Sequence, residues 1–127
     1  MISFEEAIQI HRLLIQKFGG SAGLRDPEAL KSALARPFQT FGDQDLYPAT
    51  EDKAAALLES TISNHPFIDG NKRLGFVLMK LFLLEAGMRI NASHDEVYNF
   101  IVQIATGGQD ISGITKWIKN HVDQNDP

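Results

Sequence analysis

Apolar side chains recur along most of this chain at spacings of three and four residues, which is the period of an amphipathic α-helix. The first such stripe, which includes one histidine, consists of Phe4, Ile8, His11, Ile15 and Phe18. Ser3 and Glu6 precede most of it at the spacing of a capping box, in which each side chain satisfies a backbone N–H near the other. Gly19 and Gly20 follow as a helix stop. The pattern therefore predicts a first helix between these two signals.

Further helix signals are spaced along the rest of the chain. They are an N-cap and first-turn proline at Asp26-Pro27-Glu28 with a stop before Pro37, a start at Thr50-Glu51-Asp52, a capping box at Ser93 and Glu96 closed by Gly107-Gly108, and a last helix from about Ser112 to Val122. No stretch shows the sustained period-two alternation of a strand. The prediction is an all-α fold.

The segment after Asn71 differs from the other predicted helices because it has almost no polar face. Its apolar residues are Leu74, Phe76, Val77, Leu78, Met79, Leu81, Phe82, Leu83 and Leu84. A helix that is apolar all round is typical of the middle of a bundle. We therefore expect a helical bundle around this buried central helix.

Composition narrows the class of protein. With 127 residues, 43% of them hydrophobic and 22% charged, the chain is predicted to form a single globular domain over residues 1–127. The net charge of −4 argues against a nucleic-acid partner, and the absence of cysteine excludes a thiolate zinc site. The amino terminus carries acids where a secretory signal has cations, and the longest apolar run is interrupted by Lys80. We expect a cytoplasmic protein with no membrane partner.

Candidate chemistry lies in the sequence HPFIDGNKR at 65–73, directly before the central helix. Gly70 and Asn71 stand where that helix starts, so the unpaired amides of its first turn form an anion site suited to phosphate. Lys72 and Arg73 add two cations to the first turn, where positive charge is unfavourable to the helix itself. A bound phosphate would offset both effects. These four residues are the predicted nucleotide- and phosphate-binding residues.

The other polar residues of this loop fit the same chemistry. Asp69 offers an oxygen ligand suited to Mg²⁺, which accompanies nucleotide phosphates. His65 is of the residue type that takes up a proton near neutral pH, so it is the predicted general base. Phe67 is predicted to anchor the loop to the core. Each residue alone is also compatible with an ordinary helix start, but together they predict phosphoryl or nucleotidyl transfer, with Mg²⁺ and ATP or another nucleoside triphosphate as co-substrate.

The same stretch resembles the signature of the Fic/Doc superfamily, H-P-F-x-D/E-G-N followed by glycine or lysine and then arginine. Two further stretches, GLRDPEALKSALARP at 23–37 and ATGGQDISGITKWI at 105–118, are similar to the shorter death-on-curing (Doc) branch. The resemblance covers nearly the whole chain. It implies a compact bundle of about six helices.

Two departures from the nucleotidyl-transferring pattern bear on the reaction. Fic proteins that transfer AMP usually have glycine after the asparagine and a second arginine three residues beyond the first, whereas this chain has Lys72 and Phe76. Doc-like proteins share this pattern, and the resemblance implies that the nucleotide presents its γ-phosphate. The implied activity is that of a protein kinase toxin of a type II toxin–antitoxin system, with His65 deprotonating a Ser or Thr hydroxyl. The implied target is a translation elongation factor, and the outcome is growth arrest.

Two alternatives remain open at this point. One is AMP or another nucleotidyl transfer, and the other is a catalytically silent domain that binds nucleotide or a partner. Ser63 favours the catalytically silent domain, because it stands where the Doc pattern has an arginine. Lys53 and Arg25 are the candidates to supply that cation instead. The resemblance also implies a small antitoxin whose disordered tail folds into a groove beside the active site.

The stretch PFQTFGDQDLYPAT at 37–50 has two interpretations. The resemblance implies a short hairpin flap that aligns the target chain beside the base by strand addition. The alternative is a loop that only covers the core with Phe38, Phe41 and Tyr47. His11, on the apolar face of the first helix, is predicted to be a hydrogen-bonded core histidine. His94 is predicted to lie on the surface.

Overall fold

A computed structural model describes residues 1–124, which form six α-helices and two small antiparallel sheets. The elements are α1 Phe4–Phe18, α2 Pro27–Ala35, a 3₁₀ turn Arg36–Phe38, β1 Thr40–Phe41, β2 Gln44–Asp45, α3 Thr50–Asn64, α4 Asn71–Glu85, β3 Met88–Ile90, α5 His94–Ala105, α6 Ile111–His121 and β4 Val122–Gln124. The predicted all-α architecture of about six helices is therefore confirmed. Across this range, no helix combines the length and the apolar character that a bilayer crossing requires.

The helix starts are set by local side-chain caps. The Ser3 hydroxyl accepts from the Glu6 N–H at 3.1 Å while the Glu6 carboxylate accepts from the Ser3 N–H at 2.9 Å. Ser93 and Glu96 repeat this capping box at the start of α5. Asp26 and Asp110 cap α2 and α6 with their carboxylates. Because these contacts span only three residues, they confirm the predicted helix starts closely.

The core consists of two clusters with α3 and α4 between them. The first joins α3 and α4 to α5 and α6, and its largest buried members are Leu58, Met79, Leu83, Phe100, Ile114 and Ile118. The second joins α3 and α4 to α1 and α2, and includes Ala7, Leu30, Leu57, Phe67, Leu74 and Leu78. Phe82 packs against both clusters.

The central position is shared by α3 and α4, which differs from the prediction that α4 alone lies innermost. In α3, Ala54–Leu58 and Ser60–Ile62 are all buried, whereas Leu84 of α4 is 47% exposed. Gly75 permits the close approach of the two helices, since a Cβ at that position would lie 3.1 Å from Leu58 Cδ1. Small side chains in both helices therefore decide the packing, and part of the apolar run of α4 forms surface.

Residues 40–45 form an exposed hairpin, β1–β2, with Gly42 at positive φ in its turn. Phe41 is 83% exposed, so this segment does not cover the core with that ring as the second interpretation required. Lys53 of α3 donates to the Tyr47 carbonyl and to the Asp45 carboxylate, the latter at 3.1 Å. The hairpin is thus fastened to the amino-terminal end of α3.

The second sheet pairs β3 with β4, and Ile90 lies opposite Val122. This pairing was not predicted. Strands of three residues are too short to show alternation, and their partners are about 30 residues apart in the chain.

Candidate active site

The loop between α3 and α4 is held from inside by Asn71. The Asn71 side chain is buried, its Oδ1 accepts from the Phe67 N–H at 2.9 Å, and its Nδ2 donates to the Phe67 carbonyl at 2.8 Å. Phe67 is itself buried and belongs to the second core cluster. Because Oδ1 and one Nδ2 hydrogen of Asn71 are used within the loop, the side chain serves the loop, and the backbone N–H is the first-turn donor that Asn71 offers to a phosphate.

His11 supports the loop from below. Its ring is buried and stacks on Phe67 with 3.6 Å between the ring centroids. Its Nε2 lies 2.8 Å from the Asp69 carbonyl oxygen, and because a carbonyl only accepts, Nε2 carries the hydrogen. Gly70 passes directly over this ring at φ +80°, where a Cβ would lie 3.3 Å from Nε2. The prediction of a hydrogen-bonded core histidine is confirmed, and this histidine fixes Asp69.

Residues 21–26 pair with the outer side of the loop. The Ile68 N–H donates to the Gly23 carbonyl at 2.9 Å, and the Ser21 N–H donates to Asp69 Oδ2 at 2.9 Å. Gly23 packs closely against the Ile68 side chain, since a Cβ there would lie 2.5 Å from Ile68 Cδ1 and that side chain would have to shift. This segment, and not the hairpin at 40–45, is the one that borders the loop.

Arg25 holds the backbone at the predicted general base. Its Nε donates to the His65 carbonyl at 2.7 Å and its Nη2 donates to the Asn64 carbonyl at 2.8 Å, so a cation satisfies the last carbonyls of α3. Among the described residues, His65 is the only one other than glycine with positive φ, at 50°. Such a conformation costs about 1–2 kcal/mol and persists only where surrounding contacts enforce it. The Arg25 guanidinium supplies two of those contacts.

The structure does not favour Arg25 or Lys53 as a substitute for the cation missing at Ser63. The guanidinium donors of Arg25 point to backbone carbonyls, and Lys53 binds the hairpin. Lys53 also lies twelve residues of helix from His65, roughly 18 Å at about 1.5 Å per residue. The Ser63 hydroxyl donates to the Glu59 carboxylate.

The predicted polar residues of the loop border one cleft of about 460 Å³. Its lining consists of Ile62, His65, Ile68, Asp69, Gly70, Asn71, Lys72, Arg73 and Ala105. This volume lies within the range of roughly 300–1,000 Å³ typical of small-molecule sites. Gly70 is the N-cap residue of α4 and provides no side-chain cap, so the first-turn amides of α4 are available to an anion.

Arg73 is placed by an aromatic side chain at the end of α1. Its guanidinium carbon lies 4.1 Å from the centroid of the Phe18 ring, a cation–π contact. Phe18 is the last residue of the apolar stripe of α1, but unlike His11 in the same stripe it is not buried: it is 52% exposed. The last turn of α1 extends beyond the core, and its ring instead forms a platform for the arginine.

The donor set fits a magnesium ion that arrives with a nucleotide. Of the Asp69 carboxylate oxygens, Oδ2 accepts from Ser21, and no group of three or more His, Asp or Glu side chains suited to a metal occurs within residues 1–124. Mg²⁺ is commonly bound by one or two carboxylates together with substrate phosphates and water. A single carboxylate beside a phosphate-sized anion site is consistent with that arrangement.

The contacts of His11, Ser21 and Phe18 carry no signal in the sequence, because each joins residues far apart in the chain. Arg25, in contrast, does have a signal in the sequence. It directly precedes Asp26, the N-cap of α2, where a cation is unfavourable to the helix dipole. The same argument that singled out Lys72 and Arg73 would therefore have identified Arg25.

Comparison with known proteins relates this chain to one protein family and to several individual proteins. The profile of the family described as "Fic/DOC family" matches residues 1–83. The chain is 38% identical over 99 residues to Toxin Doc of Mycolicibacterium smegmatis, covering 76% of each protein. It is 29% identical over 118 residues to Protein kinase doc of Escherichia phage P1, covering 93% of this chain and 92% of that protein. A Fido domain-containing protein of Dictyostelium discoideum is 33% identical over 87 residues, covering 62% of this chain and 59% of the relative.

Proposed function

Because the chain belongs to the Fic/DOC family, we propose that it is a Doc-like toxin of a type II toxin–antitoxin system that acts as a protein kinase in the cytoplasm. It transfers the γ-phosphoryl group of ATP or another nucleoside triphosphate to a Ser or Thr hydroxyl of a target protein. The resemblance of the loop points to a translation elongation factor as target and to growth arrest as the outcome. Two relatives support the proposal by name, one called Toxin Doc and the other Protein kinase doc.

The observation that carries the proposal is the cleft that His65 shares with the uncapped start of α4. The amides at Gly70 and Asn71 and the side chains of Lys72 and Arg73 bind the phosphates. The His65 imidazole takes the proton of the acceptor hydroxyl as its oxygen forms a bond to the γ-phosphorus. The bond from that phosphorus to the bridging oxygen breaks, and the nucleoside diphosphate leaves with the electron pair.

Asp69 would hold a magnesium ion together with the nucleotide phosphates, and such an ion neutralises phosphate charge when bound. The role of the chain here is to keep that carboxylate in place. His11 fixes the Asp69 backbone carbonyl and the Ser21 N–H fixes one carboxylate oxygen. Both contacts are made by the chain's own residues, so the fold itself organises the loop.

The second turn of α4 favours phosphoryl transfer over nucleotidyl transfer. Phe76 packs against the first core cluster, and the Lys80 ammonium lies over its ring at 5.4 Å. This position therefore offers no guanidinium for a second set of phosphates. A nucleotide held only by the first turn is suited to presenting its terminal phosphate.

Labelled ATP distinguishes the two reactions. We expect label from the γ position, and none from the α position, on a purified bacterial elongation factor or on another protein of a bacterial lysate. Label from the α position on protein would overturn the kinase assignment. His65→Ala should abolish transfer and toxicity, while His94→Ala, a histidine at the start of α5, serves as the matched control and should change neither.

An antitoxin is the second proposed partner. A largely apolar cleft of about 260 Å³ between α1 and the last turns of α4, and not a groove beside the active site as the resemblance implies, suits a helix-in-groove contact with its tail. The apolar residues lining this cleft are Ile2, Ile10, Leu81 and Leu84. Leu84→Asp should leave toxicity unchanged and weaken neutralisation by the co-expressed antitoxin. If neutralisation were unchanged, the antitoxin would bind another part of the protein.

A further inference from the structure

Three clefts follow one another along the length of α3. Asp52 lines the first, Glu59 the second, and His65, just beyond the helix, the third. Asp52 and Glu59 are seven residues apart, so they lie on the same side of the helix. The first two clefts share Ile111 and Ser112 as their opposite wall. We refer to the three clefts together as the groove: the first two adjoin each other along α3, and the third lies beyond the last turn of the helix, around the predicted base.

We propose that this groove binds the polypeptide segment that carries the acceptor hydroxyl of the protein substrate, with an acidic residue of that segment at the hairpin end. The inference rests on the proposed function, since it names the substrate feature that the same site would select. Thirteen residues of helix separate Asp52 from His65, which corresponds to roughly 20 Å. An extended chain covers that length in about six residues at about 3.3 Å each.

The charges along the groove indicate that the substrate residue bound at the hairpin end is acidic. In its middle, the Arg36 guanidinium is already paired with the Glu59 carboxylate at 2.7 Å. At its far end, Lys116 and Lys119 line the cleft, and neither has an ion-pair partner within residues 1–124. Two cations against the single carboxylate of Asp52 leave this cleft net positive on a chain of net charge −4, which favours an acidic segment at this end.

The walls of the same cleft offer further contacts to a peptide. Leu46, at the base of the hairpin, is 50% exposed and gives apolar surface. Thr115 lines the opposite side, and its buried hydroxyl has no hydrogen-bond partner among the described residues. Unpartnered buried hydroxyls are uncommon, and this one is a donor that the chain itself does not use; because its oxygen is fully buried, it reaches a peptide only when the wall shifts around it. The hairpin is held in place by Lys53, so residues of the chain itself fix this wall.

Direct binding of short peptides tests the groove. The probes are fluorescein-labelled peptides of one Ser, otherwise Ala and Gly, with an Asp-Asp pair placed from two to ten residues away on either side. We expect fluorescence anisotropy to show tightest binding with the pair about five to seven residues from the Ser on one side. Lys116→Glu with Lys119→Glu should weaken that binding about tenfold and should favour the matching Lys-Lys peptides instead. Lys80→Glu, an exposed lysine of α4, is the matched control and should leave the preference unchanged.

Equal affinity for all placements, no binding of any peptide, or an unchanged preference in the doubly substituted protein would each overturn the inference. The outcome is separable from the kinase assignment, because binding requires no transfer. If peptides bound in a position-dependent way but no γ-label appeared on protein, the kinase assignment would be wrong and the assignment of the groove would stand. With a labelled protein substrate, the double substitution should raise the KM for protein at least tenfold and leave the KM for ATP unchanged.

Discussion

Helices α1 and α4 are both 15 residues long, but their first turns have opposite chemistry. Helix α1 begins at the Ser3 cap and carries Glu5 and Glu6 in its first turn. Helix α4 begins at Gly70, which has no side-chain cap, and its first turn carries Lys72 and Arg73. A side-chain cap contributes about 1 kcal/mol, and an acid near the positive end of the helix dipole about 0.3–1 kcal/mol.

The difference shows how a helix start is adapted either to the fold or to a ligand. The start of α1 is satisfied by its own residues, so nothing needs to bind there. The start of α4 lacks both contributions, and its surroundings hold it instead: Asn71 clamps the loop, His11 supports it and Arg25 secures its first residue. A rigid, unsatisfied and positively charged helix start is what a phosphate site requires.

Giving α4 the chemistry of α1 should separate stability from activity. Lys72→Glu places an acid in the first turn, which should stabilise the fold by about 0.5–1 kcal/mol. The same change repels the nucleotide and should lower kcat/KM for ATP about 10³-fold. Thermal unfolding and transfer of γ-label measure the two effects.

The reciprocal change, Glu5→Lys in α1, is the control. It should destabilise the fold by about 0.3–1 kcal/mol and leave transfer unchanged. If Lys72→Glu kept full activity, the first turn of α4 would have no part in binding phosphate.

The two helix starts should also differ in what their polar side chains contribute to stability. Asn71→Ala leaves the Phe67 N–H and carbonyl buried without partners, so we expect a loss of about 2–3 kcal/mol in the free energy of unfolding. Ser3→Ala exposes amides that water can satisfy, and should cost about 1 kcal/mol. Chemical denaturation measures both. Equal losses would mean that the Asn71 clamp is no more than an ordinary cap.

A smaller effect is expected at Arg25, which acts on the loop through the backbone. Arg25→Ala removes both donors to the carbonyls at Asn64 and His65, and should lower kcat about tenfold with the KM for ATP unchanged. Arg25→Lys keeps the charge but not the paired donors, so we expect partial rescue. A raised KM for ATP with unchanged kcat would instead assign this residue to phosphate binding.

The contrast between local and distant contacts also explains what could be predicted from the sequence. The caps at Ser3 and Ser93 and the loop at 65–73 were recognisable because their partners lie within a few residues. The contacts of Arg25 with His65 and of His11 with Asp69 join residues 40 and 58 positions apart. Sequence patterns report periodicity and neighbouring residues. They therefore identified the chemistry of the loop, but not the distant residues that hold the loop in place. The shared central position of α3 and α4 was missed for the same reason, since it depends on where alanines and Gly75 meet.

The smallest expected effect concerns the capping boxes and the pH. The Glu96 carboxylate accepts from the Ser93 N–H and also lies 3.0 Å from His121 Nε2. These contacts hold the pKa of Glu96 below its ordinary value of 4.5, and the hydrogen bond from the Ser93 backbone has the largest effect. A carboxyl whose pKa is lowered in the folded state stabilises the fold above its unfolded pKa, and that contribution is lost as the pH falls through the folded value. Glu96→Gln should therefore flatten the stability profile below about pH 4.5 and leave γ-label transfer unchanged. Thermal unfolding between about pH 3 and 6 measures this effect. If the variant lost stability in acid as steeply as the unchanged protein, other carboxylates would carry the pH dependence. Glu6, in the matching capping box of α1, would be the first to test.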